Sequence, residues 1–148
     1  LIHEIDLIYS FFGTPKSISA IGGNLSELEM TAEDTVSALM GFEIEGRLVP
    51  VNLFLSYAQK HEVRTFRLQF VEGLLVCDLL SNSILVYGSK GDVLLRKEYG
   101  LLDRNDMFKA QLVEFIDAVR VEDTGGNTLV SGAETLSIAL AIRDQINE

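Results

Sequence analysis

Two groups of residues in this chain have the types and spacing that chemistry needs. His3 and Asp6 stand three apart in Leu1-Ile2-His3-Glu4-Ile5-Asp6-Leu7-Ile8, and on a helix that spacing makes them neighbours on one face. An imidazole changes charge near neutral pH, so the pair suits proton transfer; the plainer account is a surface histidine beside a helix carboxylate. The second group is Tyr57, Gln59, Lys60 and His61 followed by Arg64, donors and cations between two strand-like runs. Strand-end loops often carry binding residues, while Lys and Arg at a sheet edge also guard against aggregation. Asp103-Arg104-Asn105-Asp106 is a further polar cluster, for which helix capping is a sufficient role.

Other chemistries lack their residues. No Gly-rich phosphate loop opens a helix, since Gly22-Gly23 lies inside strand-like sequence, and there is no G-x-S-x-G, H-E-x-x-H or Walker motif. Two histidines and one cysteine make a protein-only zinc site improbable, so no metal is expected. The single Cys77, set in Leu74-Leu75-Val76-Cys77-Asp78-Leu79-Leu80, fits a buried inert thiol and a reducing cytoplasm. A formal charge of −10 disfavours nucleic acid and anionic membrane surfaces as partners. No apolar stretch reaches membrane-spanning length, and the acidic N-terminus is unlike a signal peptide. With 148 residues and 47% hydrophobic content, one domain with its own core is expected.

The elements that must position these groups follow from periodicity. Ile5, Ile8, Tyr9 and Phe12 repeat at helical spacing before Gly13-Thr14-Pro15, which predicts a short helix over residues 1–12. Ser17 to Ile21 alternates as a strand, and after Gly22-Gly23-Asn24 the alternation resumes over Leu25 to Met30. Thr35 to Phe42 and Leu48 to Tyr57 flank a turn at Glu45-Gly46, an antiparallel hairpin whose second strand puts Val49, Val51, Leu53, Leu55 and Tyr57 on one half-buried face. Four further strands, Arg64 to Phe70, Leu74 to Leu80, Ile84 to Tyr87 and Val93 to Glu98, alternate with short polar breaks. Behind Asn105-Asp106 as N-cap, Met107, Phe108, Leu112, Phe115, Ile116 and Val119 form an amphipathic helix. Thr124 to Asn127 is a loop, and Ser131 with Glu134 has capping-box spacing at the start of a last helix. The expected fold is α+β: one large, open, mostly antiparallel sheet with helices on one face. Its other face, if apolar, needs a partner, and a second copy of the chain is the expected one.

Taken in order, these residues resemble a known family. His3-Glu4-Ile5-Asp6-Leu7 with Phe12-Gly13 and Pro15 is similar to the "HEID…FG.P" helix that opens the C-terminal domain of the Gfo/Idh/MocA oxidoreductases. The similarity continues through Glu33-Asp34-Thr35, Leu55 to Lys60, Glu72-Gly73, Asp103 to Phe108 and Gly132 to Leu136. It implies a dihydrodipicolinate reductase-like C-terminal domain and a two-domain enzyme. An N-terminal Rossmann domain would bind NAD or NADP, and this chain, residues 1–148, would be one substrate-binding and oligomerisation domain. The start in mid-element without methionine fits a piece of such a protein, with no cofactor held tightly by this chain alone.

The resemblance implies that His3 is the acid/base, taking a substrate hydroxyl proton while hydride passes to nicotinamide. The aspartate that usually precedes this histidine, and the lysine of the cofactor domain, lie outside the chain. Asp6, Tyr57, Gln59, Lys60 and Arg64 match substrate-binding positions, with Asp6 cast as a brace for the helix or for His3. Tyr57, Gln59 and Lys60 are similar to the "Y-x-Q-R" of the sugar-nucleotide branch, but Lys60 stands where Arg is usual and offers no bidentate grip on phosphate or carboxylate. The expected substrate is a sugar, sugar nucleotide or cyclitol, and the expected assembly a homodimer or homotetramer in the cytoplasm. The alternatives are a non-catalytic interaction domain on the same scaffold and a free-standing ligand-binding protein.

Overall fold

The computed structural model describes residues 2–100, 103–121 and 128–147. The chain divides into two compact units, Leu1–Lys60 with Thr124–Glu148 and His61–Asp123, which are described separately.

The first unit begins with α1 (Ile2–Phe12), whose end is set by Gly13: φ of 73° is the left-handed conformation glycine adopts without cost, and its N–H returns to the Tyr9 carbonyl at 2.8 Å. Three strands follow, β1 (Ser17–Gly23), β2 (Thr35–Ile44) and β3 (Arg47–Ser56), paired antiparallel in that order. Glu45 and Gly46, both at positive φ, make the tight β2–β3 turn, the backbone twist a two-residue hairpin loop demands. Register places Ala20, Ala38 and Leu53 side by side on one face, with Ile18, Met40 and Val51 beside them. Against that face lie Ile5 and Phe12 of α1 and, from α3 (Leu129–Asn147), Ile138 and Ile142. Met40 and Phe42 are fully buried, and each such side chain contributes about 1.5–3 kcal/mol by leaving water. Gly22 lets β1 close on β2, because a Cβ there would lie 2.5 Å from the Thr35 carbonyl oxygen. On the opposite face Ile21, Leu39 and Phe54 stand exposed among Ser19, Ser37 and Asn52.

The second unit is a four-stranded meander of β4 (Thr65–Phe70), β5 (Gly73–Asp78), β6 (Ser83–Gly88) and β7 (Val93–Glu98), with a register shift at Val86/Tyr87, and α2 (Arg104–Arg120). Asp78 caps the β5–β6 turn, accepting the N–H groups of Leu80 at 2.9 Å and Ser81 at 3.1 Å, and these amides hold its carboxyl below the usual range. Cys77 is buried, and desolvation raises its thiol pKa.

The α+β class and the antiparallel pairing agree with the sequence, but four details differ. Pairing divides the seven strands between a three-stranded and a four-stranded sheet, where the alternating runs had suggested one continuous sheet. Leu25 to Met30 is not a strand, because the N–H groups of Leu25 and Ser26 bond to the Asp34 carboxylate instead of a neighbouring ladder. Helix α2 is capped by Asp103, whose Oδ1 accepts the Asn105 N–H at 2.9 Å, two residues ahead of the expected cap. The last helix also starts early: Thr128 and Ser131 cap each other, Ser131 N–H to Thr128 Oγ1 at 3.1 Å and Thr128 N–H to Ser131 Oγ at 2.9 Å. That frees Glu134 from the expected box. The loop expected at Thr124 to Asn127 lies outside the described residues.

Candidate functional site

Of the sequence candidates, Tyr57 lines a hollow in the first unit, and His3 lies on a helix that lines the same hollow. His3 is exposed on the first turn of α1, and Ile2 and Ile5 of the same helix line the hollow, which measures about 260 Å³. Its floor is apolar, with Val36, Leu53 and Ile142 beneath, and its polar members are Glu33, Tyr57 and Arg143. A ring-sized group fits such a volume, at the small end of ligand sites. Tyr57 reaches it because β3 is fixed at its end: the Tyr57 N–H donates to the Asp34 carbonyl at 2.8 Å. Beside it, Ser56 Oγ accepts the Ala58 N–H at 3.1 Å and bonds Thr35 Oγ1 at 3.0 Å.

Asp6, one turn beyond His3, accepts a hydrogen bond from Thr135 Oγ1 of α3 at 3.1 Å. Glu134, its neighbour, accepts from Thr14 Oγ1 at 3.2 Å, so consecutive residues of α3 hold the middle of α1 and the turn that follows it. Gln59 and Lys60 are exposed in the segment after β3. Arg64 is exposed in the second unit, where its carbonyl accepts the Leu79 N–H at 2.8 Å. A wider depression of about 380 Å³ near Gln69, Gly73, Tyr87 and Gly91 contains none of the candidate residues.

Arg143 escaped the sequence reading, and Glu33 and Asp34 entered it only within the Glu33-Asp34-Thr35 motif. Arg143 and Glu33 enter the hollow from an exposed helix flank and a loop, positions that periodicity does not mark. Asp34 gave a signal only as part of Glu33-Asp34-Thr35, yet it is fully buried and holds the site together. Its carboxylate accepts Ser26 Oγ at 2.6 Å and the N–H groups of Ser26 at 2.9 Å and Leu25 at 3.1 Å. The Ser26 hydroxyl leads in lowering its pKa, against desolvation, from 3.8 to about 2. Because the folded pKa lies below the unfolded one, this contribution to stability is complete above pH 3.8 and is lost as pH falls through about 2. Thermal melts should therefore show Asp34→Asn below the parent at neutral pH, with the gap closing as the solution is acidified through that window. Parallel curves down to the lowest pH would remove this role.

Comparison with known proteins gives a consistent answer. The family model for the GFO/IDH/MocA C-terminal domain matches residues 1–94. No curated protein matches the sequence. Two crystal structures of UDP-N-acetylglucosamine 3-dehydrogenase GnnA from Acidithiobacillus ferrooxidans superpose with TM-scores of 0.79 and 0.77 at 23% identity. They cover 98% of this chain and 45% of theirs. Biliverdin reductase from Synechocystis sp. PCC 6803, solved with biliverdin and NADP+, superposes with a TM-score of 0.65 at 14% identity, covering 99% of this chain and 45% of that one. At these identities the likeness is one of fold, and the chain spans less than half the length of each.

Proposed function

Because this chain belongs to the GFO/IDH/MocA family through its C-terminal domain, we propose that it is the substrate-binding and oligomerisation half of an NAD(P)-dependent oxidoreductase. The substrate is a sugar, sugar-nucleotide or cyclitol alcohol, and the enzyme is cytoplasmic. One observation carries this reading: the helix bearing His3 and the end of β3 bearing Tyr57 meet at one apolar hollow with polar groups among its lining. Apolar walls take the face of a ring, and Tyr57 and Arg143 offer donors to its oxygens.

Gly22 and Gly23 end β1 and pair with Val36 and Thr35 instead of opening a helix, so the phosphate cradle of a Rossmann motif is missing from them. The cofactor is accordingly assigned to an N-terminal Rossmann domain of the full-length protein. His3 acts as the base that accepts the substrate's hydroxyl proton. Tyr57, Gln59, Lys60 and Arg64 bind substrate, while Asp6, tied to Thr135, supports the helix. The exposed face carrying Ile21, Leu39 and Phe54 pairs with a second copy.

The full-length protein, offered UDP-N-acetylglucosamine and a panel of free sugars and cyclitols with NAD+ or NADP+, should reduce the nicotinamide. The 148-residue chain alone should show neither turnover nor saturable NADH binding by calorimetry. Tight binding of NADH to the chain alone would overturn the division of labour, and a full-length protein inert toward the whole panel would count against the substrate class.

A further inference from the structure

Helix α1 is short, and its rotation about its own axis decides where His3 points. Apolar contacts of Ile5, Ile8 and Phe12 hold it against the sheet, and such contacts are themselves non-directional. A hydrogen bond from a buried donor is directional. Thr135 is 3% exposed, and its hydroxyl donates to Asp6 Oδ1 at 3.1 Å across the α1–α3 contact. A buried hydroxyl without an acceptor is costly, so the bond is maintained and Asp6 stays turned toward α3. Asp6 and His3 are neighbours on the helix, yet the described bond of Asp6 runs to Thr135 and not to His3.

From this geometry we infer that Thr135 is a positioning residue for His3: it engages the Asp6 carboxylate, fixes the rotation of α1, and keeps that charge from capturing the imidazole. The inference rests on the reading of His3 as the proton acceptor. A carboxylate free to swing one turn back would pair with the imidazolium and hinder its return to the neutral base. Thr135 thus keeps an acid close enough to support the helix without letting it neutralise the base.

Full-length protein with labelled histidine tests this at neutral pH. In Thr135→Val, a near-isosteric change, the His3 Cε1 proton resonance should move downfield toward the imidazolium position because Asp6 is released. Thr135→Ser, which keeps the hydroxyl, should leave it in place. Asp6→Ala, an exposed position that should fold, provides the second arm: adding Thr135→Val to it should have no effect on His3. Glu4, adjacent to His3, is common to every variant. An unmoved resonance in folded Thr135→Val, or a shift that persists without Asp6, would overturn the inference. Turnover distinguishes the two readings: if His3→Ala retains full activity the reading of His3 as the proton acceptor fails, whatever the spectra show. If His3→Ala is inactive and Thr135→Val is spectroscopically silent, only the positioning role fails.

Discussion

Replacing His3 by alanine in the full-length enzyme should lower kcat by about 10²–10⁴-fold, the range that removal of a general acid–base group produces. KM for the alcohol should change little. His3 is exposed beside the hollow and not among the residues lining it, so its removal takes away a proton acceptor and leaves the binding surface intact. A complementary loss is expected at Tyr57, which lines the hollow, where substitution by leucine should act mainly on KM. Both parameters come from nicotinamide absorbance in steady-state assays. An unchanged kcat in His3→Ala would show that the proton acceptor lies elsewhere, whereas a full-length protein with no turnover at all would favour the alternative class, a binding module on an oxidoreductase scaffold. Fold alone does not decide between these, because one scaffold serves proteins whose names specify substrates as different as a sugar nucleotide and biliverdin.

The parts of the fold that were legible in the sequence are those where one rule governs alone. Val93 to Glu98 follows from the polar break at Lys90-Gly91-Asp92, and the β2–β3 hairpin from alternation and from Glu45-Gly46. Leu25 to Met30 alternates just as well and is not a strand. A buried carboxylate eight and nine residues away captures two of its N–H groups, and hydropathy patterning contains no information about that bond. The helix starts slipped for a similar reason. Asp103 and Thr128 compete with better-placed apolar runs, and the winning cap is chosen by local hydrogen bonding.

The candidate site was half legible by the same logic. His3, Asp6 and Tyr57 belong to motifs written in contiguous sequence, so their resemblance to a family was visible. The partners that fix them come from elsewhere: Thr135 meets Asp6 across 129 positions, and Arg143 reaches the hollow from the same distant helix. Such juxtapositions are products of tertiary packing. A sequence shows the residue types that need partners, and the fold chooses them.

The open face of the three-stranded sheet yields the second large prediction. Phe54 is 59% exposed and Ile21 80%, and register sets them on either side of Ser37 in one row, with Leu39 in the next. Small polar neighbours leave these side chains prominent, the arrangement of an anchor flanked by a flat rim. On the proposed pairing of this face with its own copy about a two-fold axis, each anchor would occur twice in the interface and each substitution would act twice. Phe54→Glu should therefore weaken self-association of the full-length protein by at least about 30-fold, the loss expected when a hot-spot aromatic is removed, and a charge buried against its symmetry mate adds to the cost. Leu48→Glu, at the far end of β3 beside the exposed Glu43, should have a smaller effect, since a rim position keeps its access to water. Sedimentation velocity over a concentration series measures both. A parent that remains monomeric at high concentration, or a Phe54→Glu variant with unaltered association, would show that this face is covered by something other than a second copy.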